Sequence, residues 1–506
     1  MLYNYLKIAL RNLMRNRVYS AINIFGLALG IACCLLLALY IQDEVSYDKH
    51  HKNADDIYRI VTHFKTDVVV EKSGTASPPI AMTMKDEIPE VEEAVRVVRS
   101  FSKSLIRYRE DLFYEDNAFL ADSTLFDVLT YDLKEGNPKN ALTEANSAVL
   151  SEKLAHRLFG NEAALDKSIS ISQGGEFVEY KVTGVFKEKY NTIIKANFFT
   201  SMTSKGLGEY ITKDKESSKE WAGQNFCPSY LKLVHGHDKA AVEKKVNEVL
   251  LKHGAEAMKA LGIHKTLSLE LVKDIYLKSD VGQSPRIIYL YVVASIAIFI
   301  LLIACINFMN LSTAKATKRA SEIGIRKTLG AFRSSLISQI LGEAMIIVVI
   351  SIIISLALVQ WSLPLFNQLT DKNISFNSDN ILYFISASII LTLVTGLVAG
   401  SYPAFYLSSF EPAQVLKGKL NLGNSSGRLR QALVIFQFMI AIALVCGIFI
   451  ISSQMNFIIE KDLGFDAKAK IVLPLRTKEA RAQYDALKKE LEMTTNVKAV
   501  SGTGYV

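Results

Sequence analysis

Residues 21–41 read AINIFGLALGIACCLLLALYI, with no charge anywhere in the run. A helix of about 20 apolar residues reaches about 30 Å, the hydrocarbon thickness of a bilayer, so this stretch reads as a membrane span. A cleaved signal peptide is excluded by its length and its exit. A signal core is shorter and ends at small residues, whereas this run leaves through Tyr40, Ile41, Gln42, Asp43 and Glu44. The segment therefore reads as a retained anchor.

Four further runs share its character: 287–306 (IIYLYVVASIAIFILLIACI) and stretches near 344–363, 381–402 and 431–451. Helices buried in a soluble core rarely stay apolar on all faces for so long. Half of the 506 residues are hydrophobic and the mean hydropathy is +0.21, which excludes an ordinary soluble enzyme. The pattern predicts an integral membrane α-helical bundle of five spans. The 245 residues from 42 to 286 are polar and charge-interspersed, and stand between the first and second spans as a large α+β extracytoplasmic domain.

Orientation follows from Lys and Arg in short loops, which stay inside. Lys7, Arg11, Arg15 and Arg17 precede span one, and Lys315, Lys318, Arg319, Arg326, Lys327 and Arg333 lie between spans two and three. Lys417, Lys419, Arg428 and Arg430 lie between spans four and five, whereas the loop between spans three and four carries only Asp371, Lys372 and Asp379. The N-terminus is expected in the cytoplasm, with residues 42–286 and those after about 452 outside. Topology accounts for the formal charge of +8, and no nucleic-acid partner is inferred. In residues 1–20, Leu2, Leu6, Leu10 and Leu13 fall near one helical face and Lys7, Arg11 and Arg15 on another, as in an interfacial amphipathic helix. Plain positive-inside flanking charge is the alternative.

Within the outer segment, β-rich runs at Ile57–Phe64, Val68–Val70, Ser168–Ser172, Phe177–Phe186 and Thr266–Leu271 predict strands. Ser151 is positioned to cap a helix over Glu152–Phe159, with Gly160 in a left-handed conformation past its end. Further helices are expected over about Lys239–His253 and Val272–Leu277, the latter returning the chain beside its point of departure. Cys227 stands alone outside the spans, so no intramolecular disulfide is expected there. His235 and His237 have metal-ligand spacing but lack a nearby carboxylate or cysteine pattern, and read as a solvated loop. The sequence contains no G-x-S-x-G, H-E-x-x-H or P-loop motif. No catalytic, cofactor-binding or metal residues are assigned.

The span interiors hold no ionisable residue, which argues against an ion-coupled carrier. Gly396 and Gly400 in span four suggest close helix packing. The inner loop between spans two and three is the richest segment: Arg319-Ala-Ser-Glu322-Ile323-Gly324-Ile-Arg326-Lys327-Thr-Leu329-Gly330-Ala331. Its charges share a helical face, with Glu322 one turn before Arg326 in the order that favours an ion pair. Gly324 would permit close approach to a partner groove, Gly330 would end the helix, and Ile323 and Leu329 could anchor it there.

This loop resembles the coupling-helix signature of the MacB/FtsX/LolC-type ABC transporter permeases. Further matches are Leu6–Arg17, the stretch Gly400-Ser-Tyr-Pro403-Ala404 with Pro412, and Val149-Leu-Ser-Glu with Leu158-Phe159-Gly160 and Val182-Thr-Gly184-Val185. The resemblance implies a MacB-like periplasmic core domain over 42–286 and an FtsX-like permease domain over 287–408, with its coupling helix at about 314–331. It implies a bacterial inner-membrane subunit powered by a separate cytoplasmic ABC ATPase, with no enzyme activity in this chain. In that family the spans transmit force to the outside. Export of drugs, peptides or lipoproteins is the favoured function; the alternative is an FtsX-like scaffold that regulates cell-wall hydrolases. A periplasmic adaptor or outer-membrane component remains an open partner, as does a second permease half or a homodimer. After a cytoplasmic linker at 409–430, Arg428-Leu-Arg430, span five (431–452) and Gln454, Glu460, Lys461 and Asp462 echo the first unit. Residues 453–506 are therefore expected to begin a second periplasmic domain, as in double-unit permeases, in a chain that stops short of it.

Overall fold

The computed structural model describes residues 11, 14, 15, 17–66, 70–100, 103–173, 175–189, 191–214, 219–282, 284–314, 323–375, 378–409, 424–461, 470–475 and 477–503. They divide into a helical unit, Met1–Val45 with Ile288–Lys468, and a sheet-rich unit, Ser46–Ile287 with Ala469–Val506. Most of the interfacial helix expected in residues 1–20 lies outside the described residues, as does Val68.

Among the described residues, five helices are long and apolar enough to cross a membrane. They run Arg17–Val45, Ile287–Ala314, Arg333–Thr370, Ser378–Ser408 and Asn424–Glu460. Each extends past its apolar run, because a helix does not stop where hydrophobicity stops. Polar side chains continue it by bonding back to the preceding turn, as Thr313 Oγ1 does to Met309 O, or across to another helix, as Tyr19 Oη does with Ser312 Oγ at 2.9 Å. Spans one and three share a core of Leu27, Ile31, Leu35, Ile347, Val348 and Val359. Small residues set the closest approaches. A Cβ on Gly400 would stand 2.9 Å from Ala344 Cβ, and one on Gly30 only 2.6 Å from Ala304 Cβ. Gly396 and Gly400 thus serve packing between spans three and four, as their spacing suggested.

Among the described residues of the sheet-rich unit, thirteen strands join in one sheet. From edge to edge they are His264–Leu271, Ile57–Lys65, Ser229–Leu233, Val91–Arg99, Ala118–Ala121, Phe198–Ser201, Ser147–Ser151, Glu176–Phe186, Ser168–Gln173, Ser104–Tyr108 and Asp111–Glu115. Val70–Ser73 pairs with Ile57–Lys65, and Leu133–Gly136 with Glu176–Phe186. Most pairs are antiparallel. Ser147–Ser151 with Glu176–Phe186, and Ala118–Ala121 with Phe198–Ser201, are parallel. Phe119, Tyr131, Phe186 and Phe199 form an aromatic centre, with ring centroids 5.0–6.1 Å apart for the pairs made by Phe199. A second core joins Ile80, Met84, Leu231, Val246, Leu250 and Leu269.

The helix Glu152–Phe159 begins as expected, with Ser151 Oγ accepting from Leu154 N. Gly160 has a positive φ of 65° but a ψ of −126°, so it leaves the left-handed helical basin rather than occupying it. The helix expected to end near His253 continues to Leu261. Gly254, a breaker on propensity alone, lies inside it with room for a Cβ only 3.1 Å from Trp221. Asp238 caps its start and Gly262, at φ 64° and ψ 30°, its end. Tyr47 stacks on Tyr276 at 3.6 Å, which places the beginning and the end of the domain side by side.

Candidate functional site

The loop between spans two and three is described from Ile323 onward; Lys315, Lys318, Arg319 and Glu322, and with them the expected Glu322–Arg326 pair, lie outside the described residues. Residues 323–328 are helical. Ala331 N donates to Arg326 O and Gly330 N to Lys327 O, with Gly330 at φ +91°. This double closure is a Schellman ending, which needs a residue that tolerates positive φ. Gly330 therefore ends the helix as its position implied, three residues before the third span starts at Arg333.

One face of this short helix is turned into the chain itself. Ile323 packs with Leu336 and Leu407, and Gly324 is buried. Both were expected to face a partner; here Ile323 closes onto spans three and four through Leu336 and Leu407. Arg326 Nη1 donates to Gln339 Oε1 at 2.7 Å. Lys327 Nζ donates to Ser408 O at 2.7 Å, satisfying a carbonyl in the last turn of span four, where helices leave acceptors unpaired. The basic residues thus staple the loop to its own spans.

The opposite face carries Ile325, Leu329 and Phe332, exposed by 48%, 82% and 79%. Leu329 stands where an anchor was expected. Ile325 and Phe332 were missed, although Ile325 and Leu329 are four apart and so share a helical face. Ala331 packs beside the Ile323 cluster.

In the sheet-rich unit, the polar constellations that could do chemistry are already engaged. Asp48, His50 and His51 bring ligand atoms within 4.8 Å of one another. His51 Nδ1, however, accepts from Thr130 N at 3.0 Å, which puts the neutral ring's proton on Nε2 and removes it as a ligand. Asp48 Oδ1 accepts from Thr192 Oγ1 at 2.6 Å. Burial pushes His50 down to about 4. His235 pairs with Asp56 and His237 with the Val234 carbonyl, so the two rings take separate partners. Lys265 is 2% exposed, and its Nζ donates to Ser77 Oγ, Trp221 O and Asn225 Oδ1; burial pushes it down to about 7. Cys227 is pushed up to about 12 by burial, which makes it a poor nucleophile.

Comparison with known proteins matches residues 20–249 to the MacB-like periplasmic core domain and residues 294–412 to the FtsX-like permease C-terminal domain. The macrolide export ATP-binding/permease protein MacB of Mannheimia succiniciproducens is 24% identical over 63% of this chain and 46% of its own length. The ABC transporter permease YknZ of Bacillus subtilis is 21% identical over 81% of this chain and 98% of its own. The chain thus spans about half of the former and nearly all of the latter. The crystal structure of the periplasmic region of MacB from Actinobacillus actinomycetemcomitans is 15% identical, covering 42% of this chain and 92% of that one, with a TM-score of 0.28.

Proposed function

Starting from a chain that is a MacB/FtsX-type ABC transporter permease, multi-pass in the membrane, we propose that it couples ATP hydrolysis by a separate cytoplasmic ATPase to movement of its outer domain. It does so in a bacterial inner membrane with its N-terminus inside, and the movement drives export of drugs, peptides or lipoproteins. The supporting observation is the apolar face of Ile325, Leu329 and Phe332 on a short helix whose other face is stapled to spans three and four. A merely solvated loop has no need of that division. A transmitting element does, since it must bind a moving partner on one side and pass force into the bundle on the other.

Along the sequence the exposed apolar residues alternate with charged ones, Arg319, Glu322, Arg326 and Lys327, and charges at an interface rim steer encounter and fix register.

The experiment is purification of the full chain in mild detergent from ATP-supplemented membranes, for wild type, Leu329→Asp and Glu322→Lys. A P-loop ATPase should accompany the wild type. Leu329→Asp should weaken that association by about 2 kcal/mol or more, as loss of a central interface anchor does. Gly324→Leu is a poor probe, because buried Gly324 would test folding instead. Full ATPase retention by both variants would refute the coupling role. Single cysteines replacing Asn377 and Ser425 in a cysteine-free chain test the orientation. The first should react with an impermeant thiol reagent from outside, the second only after lysis.

A further inference from the structure

We propose that Lys372, Asp43 and Glu44 form a buried ionic latch that holds the outer end of span one against the outer end of span three, and so delivers the movement of span three to the start of the outer domain. The proposal rests on the coupling reading above and gives it a route.

Span three is the natural input. It starts at Arg333, directly after the coupling segment, and continues as one helix to Thr370. Its 38 residues, with Pro364 inside the last turns, reach about 57 Å at 1.5 Å per residue, and the latch lies beyond the point where that proline loosens the helix. At its far end Asp371 adopts the left-handed conformation (φ 51°, ψ 41°) and stops it. The turn that follows is fixed by one side chain: Asn367 Nδ2 donates to Ile374 O at 2.8 Å, and Asn367 Oδ1 accepts from Ile374 N at 3.1 Å. Lys372 is thereby held on a rigid corner.

Its ammonium lies 2.8 Å from Asp43 Oδ2 and 2.6 Å from Glu44 Oε1, with the three side chains only 7–13% exposed. It also stands 5.8 Å from the centre of the Tyr40 ring, and Tyr40 meets Phe366 edge to face. Span one and span three are therefore joined by charge and by an aromatic contact at the same level.

Such a triad is an expensive way to gain stability. Apolar residues of similar volume hold two helices together at least as well, because charged groups must first be stripped of water. What an ion pair adds is direction, since a slide of one turn would separate the charges. Position within the chain supports that role. Two residues after Glu44 the outer domain begins, and there the chain is fastened again: Asp48 N donates to Asn191 O at 2.9 Å, Asn191 Nδ2 to Ser46 Oγ, and Thr192 Oγ1 to Asp48 Oδ1. Asp43 and Glu44 are thus held by span three within the helical unit, and Ser46 and Asp48 by the 191–193 loop within the sheet-rich unit, with Val45 alone between them in the sequence. A displacement of Lys372 has little slack to lose before it reaches the domain.

The test uses the full chain, made cysteine-free and then labelled at Lys49→Cys and Leu365→Cys, in membranes with its co-purifying ATPase. ATP hydrolysis and the ATP-dependent change in label separation are measured on the same samples. The apolar triple variant Asp43→Leu/Glu44→Met/Lys372→Met removes the charges without leaving one unpaired. It should bind the ATPase and hydrolyse ATP at the wild-type rate, while the ATP-dependent change falls by about tenfold, within the range of ordinary coupling energies. Lys372→Arg, which keeps the charge, should preserve the change. A triple variant that keeps the full change overturns the latch and leaves the coupling reading standing. One that fails to assemble makes the triad a folding element and overturns it equally. If the wild type shows no ATP-dependent change, or if Leu329→Asp leaves it intact, it is the coupling reading that fails, and the latch falls with it.

Discussion

In the outer domain, Phe119, Tyr131, Phe186 and Phe199 fill a core with large rings, whereas in the membrane unit Gly30, Gly396 and Gly400 let backbones approach until a single added carbon would collide. The contrast follows from the solvent each region displaces. Expelling water rewards burial of area, so the outer domain gains from every large side chain it hides. Lipid gives no such reward, and span association depends on close contact. Charges divide similarly. The outer domain buries Arg96 against Asp122 and Lys265 among three acceptors, while in the membrane unit, among the described residues, Glu44 is the one buried charged residue, and it is held at the outer rim by Lys372.

The sharpest way to break this contrast is to remove a large group. Phe199→Ala, at a site with no exposure, should cost the outer domain about 3–5 kcal/mol. Denaturant unfolding of residues 45–283, a segment expected to fold alone, measures it; a loss under about 1 kcal/mol would deny that the aromatic cluster is the core. The converse experiment adds volume to the spans. Gly400→Leu faces Ala344, whose Cβ cannot retreat, and the end of Leu341 beside it, and overpacking of that kind costs about 1–3 kcal/mol. Gly396→Ala should be milder, because its obstacle is the flexible end of Met345. Thermal unfolding of the purified full chain should rank the two in that order.

How much of this was legible in the sequence differs between the same two regions. The spans announce themselves, because an uncharged run of 20 residues has few other uses. Their true ends do not, since residues such as Thr313 extend a helix through hydrogen bonds that composition hides. In the outer domain, local signals were read well: Ser151 caps its helix, and Tyr47 and Tyr276 bring the two ends of the domain together. The strand order depends on pairings such as Val97 with Ala121 and Tyr58 with Leu271, and no local pattern encodes those. At the candidate site, the helix end at Gly330 was legible, whereas the packing of Ile323 was not, because only the arrangement of the spans brings Leu336 and Leu407 to it.

A third prediction uses pH to separate the regions. Lys265 is pushed down to about 7 in the folded domain, against about 10.4 in an unfolded chain. Between those values the unfolded chain binds more protons, so stability rises with pH through that window. From pH 7 to 8.5 the gain should be about 1.5 kcal/mol. Above about pH 8.5 Cys227, and above about pH 10 Tyr230, both raised to about 12, begin to act the other way, as the unfolded thiol and phenol lose their protons first. Lys265→Met should flatten the rise. A wild-type domain whose stability stays level from pH 7 to 8.5 would show that its three acceptors hold the ammonium charged.

The smallest effect tests how far local signals count in each region. Ser151 Oγ accepts from Leu154 N at 3.2 Å at the head of a helix only eight residues long. One cap therefore serves much of that helix, and Ser151→Ala should cost about 1 kcal/mol, with Ser151→Asp recovering most of it because Glu152–Phe159 presents its amino end to the carboxylate. Span three offers the contrast. Phe332 stands at its cap position and makes no side-chain capping bond, yet the helix runs for 38 residues, because packing along its length outweighs one unpaired amide. Phe332→Ser supplies the missing oxygen and should raise the thermal stability of the full chain by much less than Ser151→Ala lowers that of the outer domain. Equal and opposite shifts would mean that helix ends matter as much in the bundle as in the sheet-rich domain. The division drawn between the two regions would then be wrong at the local level.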